Sequence, residues 1–136
     1  MSNFISRKQI KELSKNILGE PFEVVEWNGT IYIKKWTGTE RAKFITKIQS
    51  IYADGDTGKP KDIEALFDFQ TEVVAMSLYG EDGQPLYDAK NLEDIIEVGQ
   101  IEADLLQKLF AECASRNGLV EGKAKEDIRN LEIGQS

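Results

Sequence analysis

Few side chains in this sequence could do covalent chemistry. The 136 residues include no histidine and a single cysteine, Cys113. Without imidazole the chain has no Ser-His or Cys-His nucleophile pair and no histidine metal ligand. Cys113 lies on an apolar helical stripe, where a thiol is usually an inert small hydrophobe, and one cysteine cannot form an internal disulfide. The sequence therefore predicts that the protein is not an enzyme of these kinds.

Carboxylates and glycines are the other candidates for binding a ligand. Residues 54–56 read Asp-Gly-Asp, but a calcium loop would then need Glu at position 65, which is Ala65. The Gly-Lys pairs at 58–59 and 122–123 lack the spacing of a phosphate-binding loop. Residues 81–104 hold eight acids and one lysine, a pattern typical of a solvated face. We predict no cofactor and no metal, although a metal enzyme acting through these carboxylates remains a rival interpretation.

Composition is that of an ordinary soluble domain. With 40% hydrophobic and 30% charged residues, residues 1–136 are long enough to form one domain that buries about two thirds of the surface of its unfolded chain. No apolar run approaches the ~20 residues of a membrane span, and the amino terminus has no signal-peptide pattern. We therefore expect a cytoplasmic protein that does not associate with membranes.

Charge is distributed unevenly along the chain. The net charge of −7 argues against binding nucleic acid. Residues 1–50 carry nine Lys/Arg against five Asp/Glu, whereas residues 51–136 carry eight against nineteen. If the two parts form separate faces, copies of the chain could attract one another head to tail and form a homo-oligomer. The alternative is that these charges only solvate the surface.

Residues 22–36 predict a β-hairpin. Asn28-Gly29 favours a tight turn between short strands, and Ile31 and Ile33 alternate with polar residues after it. Thr37 and Glu40 form a capping box that begins a helix at Gly38. Because an isolated hairpin is marginally stable, we expect it to pack on a helical body or on the sheet edge of another chain.

The remaining elements are predicted to be helical. Residues 1–20 contain an amphipathic helix from about Arg7 to Leu18, capped by Ser6 and Gln9. Residues 38–118 form a helical body that includes a broad apolar helix from about 62 to 78 and a miniature hairpin at 78–87, and residues 120–136 form a weak last helix and tail. The predicted fold class is α+β, mostly helical, with an amino-terminal hairpin followed by four or five helices.

In its motifs and their order, the chain resembles the tail assembly chaperones of long-tailed bacteriophages and prophages. The segments that carry the resemblance are VEWNGTIYI at 25–33, WTGTER at 36–41, VAMSL at 74–78, EDGQPLY at 81–87 and LFAECASRNGL at 109–119. In that family an extended hairpin is followed by Thr-Gly-x-Glu-Arg, a helix, an Asp-Gly turn and a late helix ending near Asn-Gly. The resemblance covers roughly residues 22–120.

The resemblance implies a non-enzymatic protein that works in the host cytoplasm and is absent from the mature virion. Such a protein binds the tape measure protein during tail morphogenesis, keeps that long apolar chain soluble and helps to recruit tail tube subunits. Family members often self-associate, and a longer form made by ribosomal frameshifting contacts the tail tube protein. The chain described here would be the shorter form.

Aromatic and apolar side chains are the best candidates for binding such a partner. We expect the partner-binding residues among Trp27, Tyr32 and Trp36 of the hairpin and, if the broad helix is not wholly internal, Phe69 and Met76. The two tryptophans can also be interpreted as core anchors of an ordinary small domain. A different function remains open, that of an acidic adaptor or inhibitor that uses residues 81–104 to bind a basic partner surface.

Overall fold

A computed structural model describes residues 4–52 and 62–119. Five helices and a three-stranded antiparallel sheet lie in these two ranges, which confirms the predicted α+β, mostly helical class. In chain order the elements are α1 (Arg7–Leu13), β1 (Leu18–Val24), a 3-10 turn (Val25–Trp27), β2 (Gly29–Lys34), α2 (Gly38–Ile51), α3 (Ile63–Ser77), β3 (Leu78–Tyr79), α4 (Leu92–Gly99) and α5 (Ala103–Arg116). The predicted loop at 54–60 and the predicted last helix at 120–136 lie outside the described residues.

Both predicted capping boxes are confirmed. The amide of Gln9 donates to Ser6 Oγ at 3.1 Å, and Gln9 Oε1 accepts from the Ser6 amide at 2.7 Å. At the start of α2 the Glu40 amide donates to Thr37 Oγ1 at 3.1 Å, and Glu40 Oε1 accepts from the Thr37 amide at 2.9 Å. Each box supplies partners for amide groups that the first turn of a helix leaves unpaired.

The first helix is shorter than predicted. It ends at Leu13, and Leu18 is already the first residue of β1. The backbone leaves the helix at Ser14, whose hydroxyl donates to the Ile10 carbonyl at 2.7 Å, and the Ile17 carbonyl accepts from the Lys35 amide at 2.7 Å. Pairing with the neighbouring strand therefore prevails over one further helical turn, because a short helix gains little from lengthening on its own.

The hairpin connection is longer than a two-residue Asn-Gly turn. Val24 pairs with Gly29, so four residues connect the strands, and Trp27 lies in the 3-10 turn and not in a strand. Asn28 has the left-handed conformation with φ 49°, whereas Gly29 starts β2. The prediction of a turn at Asn28 is confirmed, but its two-residue length is wrong because residues 25–27 wind into a helical turn before the chain reverses.

The sheet is completed within the chain. β2 pairs with β1 on one side and with β3 on the other, through Tyr32 opposite Tyr79 and Ile33 opposite Leu78. The predicted miniature hairpin follows β3, since the Gly80 amide donates to the Gln84 carbonyl at 2.9 Å and Gly83 adopts φ 78°. We expected the hairpin to pack either on a helical body or on another chain, and in the structure it packs on β3 and α3 of its own chain.

The core gathers around α3, which packs against α2, α4, α5 and β2. Four aromatic rings cross this core in edge contacts: Trp36 to Phe44 at 4.8 Å, Phe44 to Phe69 at 5.8 Å, and Phe69 to Phe110 at 5.8 Å between centroids. α5 ends at Arg116, Gly118 then adopts φ 75°, and the Leu119 side chain is buried against the body. The series of rings links the end of the hairpin to three helices, which fixes the sheet on the helical body.

Candidate protein-binding surfaces

Trp36 anchors the hairpin to the helices and is only partly exposed. Its indole Nε1 donates to Ser77 Oγ at 2.9 Å, and its ring contacts Phe44 in the core. Its backbone amide donates to Asn117 Oδ1 at 2.8 Å. Trp36 is therefore a core anchor, one of the two roles considered for the tryptophans, because its backbone amide, its indole N–H and its ring all have partners in this chain.

Asn117 joins three parts of the chain, which sequence reasoning missed. Besides accepting from Trp36, its Nδ2 donates to the Lys34 carbonyl at 3.1 Å and to the Cys113 carbonyl at 2.9 Å. The sequence marked Asn117 only as the end of a helix. No local signal could have shown that this side chain closes the junction between β2 and α5, because its partners Lys34 and Trp36 lie more than eighty residues away.

Phe69 does not contribute to the surface. It is 3% exposed and lies between Phe44 and Phe110, so it faces the core even though the broad helix α3 is not wholly internal. Met76 is partly buried and packs against the core. Tyr32 is also partly buried, in the central strand between Pro21 and Tyr79.

Trp27 is the predicted residue that remains open to solvent. It is 45% exposed at the hairpin tip, next to the still more exposed Val25. Glu26 between them accepts two hydrogen bonds from Lys108 Nζ of α5, at 3.0 and 3.1 Å. A backbone hydrogen bond and the Lys108 ammonium hold the pKa of the Glu26 carboxyl below its ordinary value. The tip is thus tied to α5 by an ion pair while its apolar residues face outward.

A second exposed apolar surface lies where α3 and α4 meet. It consists of Ile63 and Phe67 on α3 and Leu92 and Ile96 on α4, all between 42% and 76% exposed. The ring of Phe67 lies 3.6 Å from the position that a Cβ on Gly99 would occupy. With 3.6 residues per turn, each pair lies along one side of its helix, and Gly99 extends the row on α4. We call these four residues the α3–α4 face.

The α3–α4 face has an acidic border. Glu93 and Glu97 lie on α4 beside the row formed by Leu92 and Ile96, on the side away from buried Val98, and both are exposed. Residues 62–104 as a whole carry twelve Asp and Glu and one lysine, Lys90. A partner that covers this face must therefore bring apolar side chains and carry positive charge at its edges.

A third exposed apolar region is the amino-terminal segment, residues 4–16, which we call the arm. It contains α1, in which no residue is buried. Ile5, Ile10 and Leu13 are each more than half exposed. The arm carries four Lys and Arg against Glu12, so its charge is opposite to that of the α3–α4 face. The apolar side of this amphipathic helix is therefore left open by the described part of the chain.

The single cysteine of the chain, Cys113, lies in the core. Burial raises the pKa of the Cys113 thiol to about 12, so this sulfur is neither ionised nor accessible at neutral pH. Within residues 4–52 and 62–119, no three Cys, Asp or Glu side chains cluster in a way that could hold a metal ion. In the same ranges no helix is both long and apolar enough to cross a membrane.

Comparison of the chain with known protein families, with curated proteins and with solved structures finds no match.

Proposed function

We propose that this protein is a tail assembly chaperone of a long-tailed phage or prophage. In this role it binds the tape measure protein in the host cytoplasm during tail morphogenesis, keeps it soluble, helps to recruit tail tube subunits and is absent from the mature virion. The order of the sequence motifs supports this proposal. The single observation that carries it is the α3–α4 face, an apolar surface with an acidic border that the rest of the described chain leaves open.

The α3–α4 face has the form that a helical client requires. Two adjacent helices present apolar residues one turn apart, Ile63 with Phe67 and Leu92 with Ile96. A third helix can lie along such rows with its own residues at i, i+3 and i+4 between them. Phe67 lies against Gly99 where the two helices meet and is 42% exposed. A long apolar helical chain can thus be covered reversibly, which is what a chaperone does.

The hairpin tip offers a further contact for the same client or for a tail tube subunit. Val25 and Trp27 are exposed there, and the ion pair of Glu26 with Lys108 fixes their position. Two separate contacts on one client raise the effective affinity without any single strong interaction. A homo-oligomer would multiply the number of contacts in the same way, and a longer frameshifted form would add the contact to the tail tube protein.

Co-expression with the tape measure protein of the same locus tests this function. We expect the tape measure protein to become soluble and to co-purify with the chain. Placing a carboxylate in the face, as in Phe67→Asp combined with Ile96→Asp, should reduce its recovery at least about tenfold, because a buried charge without a partner opposes binding. Thr46→Asp on the exposed side of α2 is the matched control and should leave recovery unchanged.

The experiment tests the proposed function and the proposed binding surface separately. If the tape measure protein stays insoluble and separate from the wild-type chain, the chaperone function is wrong. If it is recovered equally with the double variant, the function stands but the α3–α4 face is not the binding surface. Circular dichroism of each variant establishes that it is folded.

The acidic composition of residues 62–104 favours a second candidate, an adaptor or inhibitor that binds a basic protein surface. Its binding would depend on charge more than on apolar contact. Glu93→Gln combined with Glu97→Gln should then abolish binding of the partner, whereas a chaperone that grips its client through apolar side chains should lose only a few-fold in affinity. Comparing this amide variant with the Phe67 and Ile96 variant distinguishes the two functions.

A further inference from the structure

The arm has an apolar stripe that residues 4–52 and 62–119 of its own chain do not cover. α1 is seven residues long, its capping box is complete, and none of its residues is buried. Helices this short are marginal in water, and their stability in proteins comes from packing of the apolar side. Ile10 and Leu13 lie one turn apart, with Ile5 at the entry to the helix. The arm therefore needs an apolar surface outside the described part of its own chain.

The α3–α4 face is complementary to the arm in both charge and polarity. Residues 4–16 carry Arg7, Lys8, Lys11 and Lys15 against one acid, whereas residues 62–104 carry twelve acids against one lysine. Glu93 and Glu97 border the apolar rows on the face, as the lysines border the stripe on the arm. The chain beyond residue 119 offers less complementarity, because it carries three basic residues against four acidic ones.

We propose that the arm of one copy binds the α3–α4 face of a second copy of this chain. Such a contact joins two different surfaces, so it is heterologous and repeats from copy to copy into a ring or an open chain. One partner then covers both exposed regions at once, and that partner is present wherever the protein is made. The contact is small, which is typical of a weak and reversible interface.

The proposal has a consequence for the client, and this part rests on the proposed function. The arm and the tape measure protein compete for the same face. A protomer without a client therefore has its α3–α4 face covered by the arm of a second copy until a client displaces that arm. A variant that lacks a functional arm should therefore bind the tape measure protein more tightly than the wild type does. The self-association itself does not depend on any client.

Two full-length variants test the contact in a mixing experiment. The arm variant carries Ile10→Asp and Leu13→Asp, and the face variant carries Leu92→Asp and Ile96→Asp. All four positions are exposed, so neither variant should lose its fold. Sedimentation from about 1 µM to about 1 mM should show the wild type associating, and each variant alone associating at least about tenfold more weakly. Thr46→Asp on the exposed side of α2 is the matched control and should behave as the wild type does.

Mixing the two variants in equal amounts is the decisive step. The face variant has an intact arm and the arm variant has an intact face, so the mixture should form dimers that cannot grow further. An isologous contact, in which each surface meets its own counterpart, would not be restored in this way. In about 1 M salt, where the Debye length falls to about 3 Å, the wild-type dissociation constant should rise several-fold.

Three results would overturn the proposal: a wild-type chain that stays monomeric throughout, an arm variant that associates like the wild type, or a mixture that stays monomeric. None of them bears on whether the tape measure protein binds. Conversely, dimers in the mixture together with no recovery of the tape measure protein would support the arm contact and reject the proposed function.

Discussion

The carboxyl-terminal half of α3 is sealed from solvent, whereas its amino-terminal turns are open. Val73, Val74 and Ala75 are completely buried, but Ile63 and Phe67 remain exposed on the same helix. Both halves are apolar, so residue type does not explain the difference. What differs is the neighbourhood: the strand β3 follows directly from the sealed end, whereas Ile63 is the first residue of the helix at the open end. The comparison teaches that an apolar sequence pattern identifies a surface that tends to be buried, but not whether the same chain or a partner buries it.

Truncating one phenylalanine at a time compares a sealed position of α3 with an open one. Phe69→Ala removes a ring that contacts both Phe44 and Phe110, and we expect it to lower the free energy of unfolding by about 3–5 kcal/mol. Phe67→Ala at the open end should cost about 1 kcal/mol or less. Urea unfolding followed by tryptophan fluorescence measures both. Equal losses would show that the face of α3 around Phe67 is as well packed as the core.

The reactivity of a thiol can compare the sealed and open ends of α3 without removing a phenylalanine ring from the core. Burial raises the pKa of the Cys113 thiol to about 12, although a hydrogen bond with the Ser77 side chain of α3 acts in the opposite direction. At neutral pH we expect a thiol reagent to modify Cys113 at least about a hundredfold more slowly than a free cysteine, because both ionisation and access are suppressed.

The matched control for this labelling places the thiol at the open end of α3. Ile63→Cys in a Cys113→Ala background should react at close to the rate of a free cysteine, since position 63 is exposed. Fast modification of native Cys113 would show that the sealed end opens readily. Adding urea should bring the two rates together as the chain unfolds.

Much of the local structure could be predicted from the sequence, because its causes are local. The capping boxes at Ser6 and Thr37 depend on residues three positions apart, and the turn at Gly83 depends on Asp-Gly. The end of α1 could not be predicted, because pairing of Ile17 with Lys35 decides it. For the same reason the sequence did not reveal that β3 completes the sheet beside β2.

The candidate surfaces were less predictable than the fold. Trp27 and Trp36 are the same residue type in one hairpin, yet only Trp27 faces solvent to a large extent. The partners that cover Trp36 are Ser77 and Asn117, which lie more than forty and eighty residues further along. Phe67 likewise lies against Gly99, which is on another helix. Periodicity identifies an apolar face, but tertiary neighbours decide whether it stays open.

A polar junction holds the sealed side together, and its removal should have an intermediate effect. Asn117→Ala leaves the Trp36 amide and the Lys34 carbonyl without a side-chain partner. We expect a loss of about 1–3 kcal/mol in the free energy of unfolding. Asn16→Ala, at an exposed position after α1, is the control and should change stability by less than about 0.5 kcal/mol. A loss no larger than that of the control would mean that water replaces the Asn117 amide at no cost.

Glu40 beside this junction should give the smallest effect, visible in the pH dependence of stability. Burial alone raises the pKa of the Glu40 carboxyl, but hydrogen bonds from Lys34 Nζ at 2.5 Å and from Thr37 bring it below the ordinary value of 4.5. A carboxyl whose folded-state pKa is lowered stabilises the fold above pH 4.5, and that contribution is lost as the pH falls through the lower, folded-state pKa. Glu40→Gln should therefore cost up to about 1 kcal/mol near pH 7 and less at acid pH.

The arm supplies the matched control for Glu40, because Glu12 pairs with Lys15 at 3.2 Å on the exposed surface of α1. Glu12→Gln should leave the stability curve unchanged between neutral and acid pH, since exposed ion pairs contribute little. If both amide variants showed the same pH dependence, Lys34 would stabilise Glu40 no more than solvent does. A difference confined to Glu40→Gln would instead show that the pH-dependent part of the stability comes from the Lys34–Glu40 pair. The arm would then contribute nothing to it, so binding of the arm to another surface would not destabilise the fold.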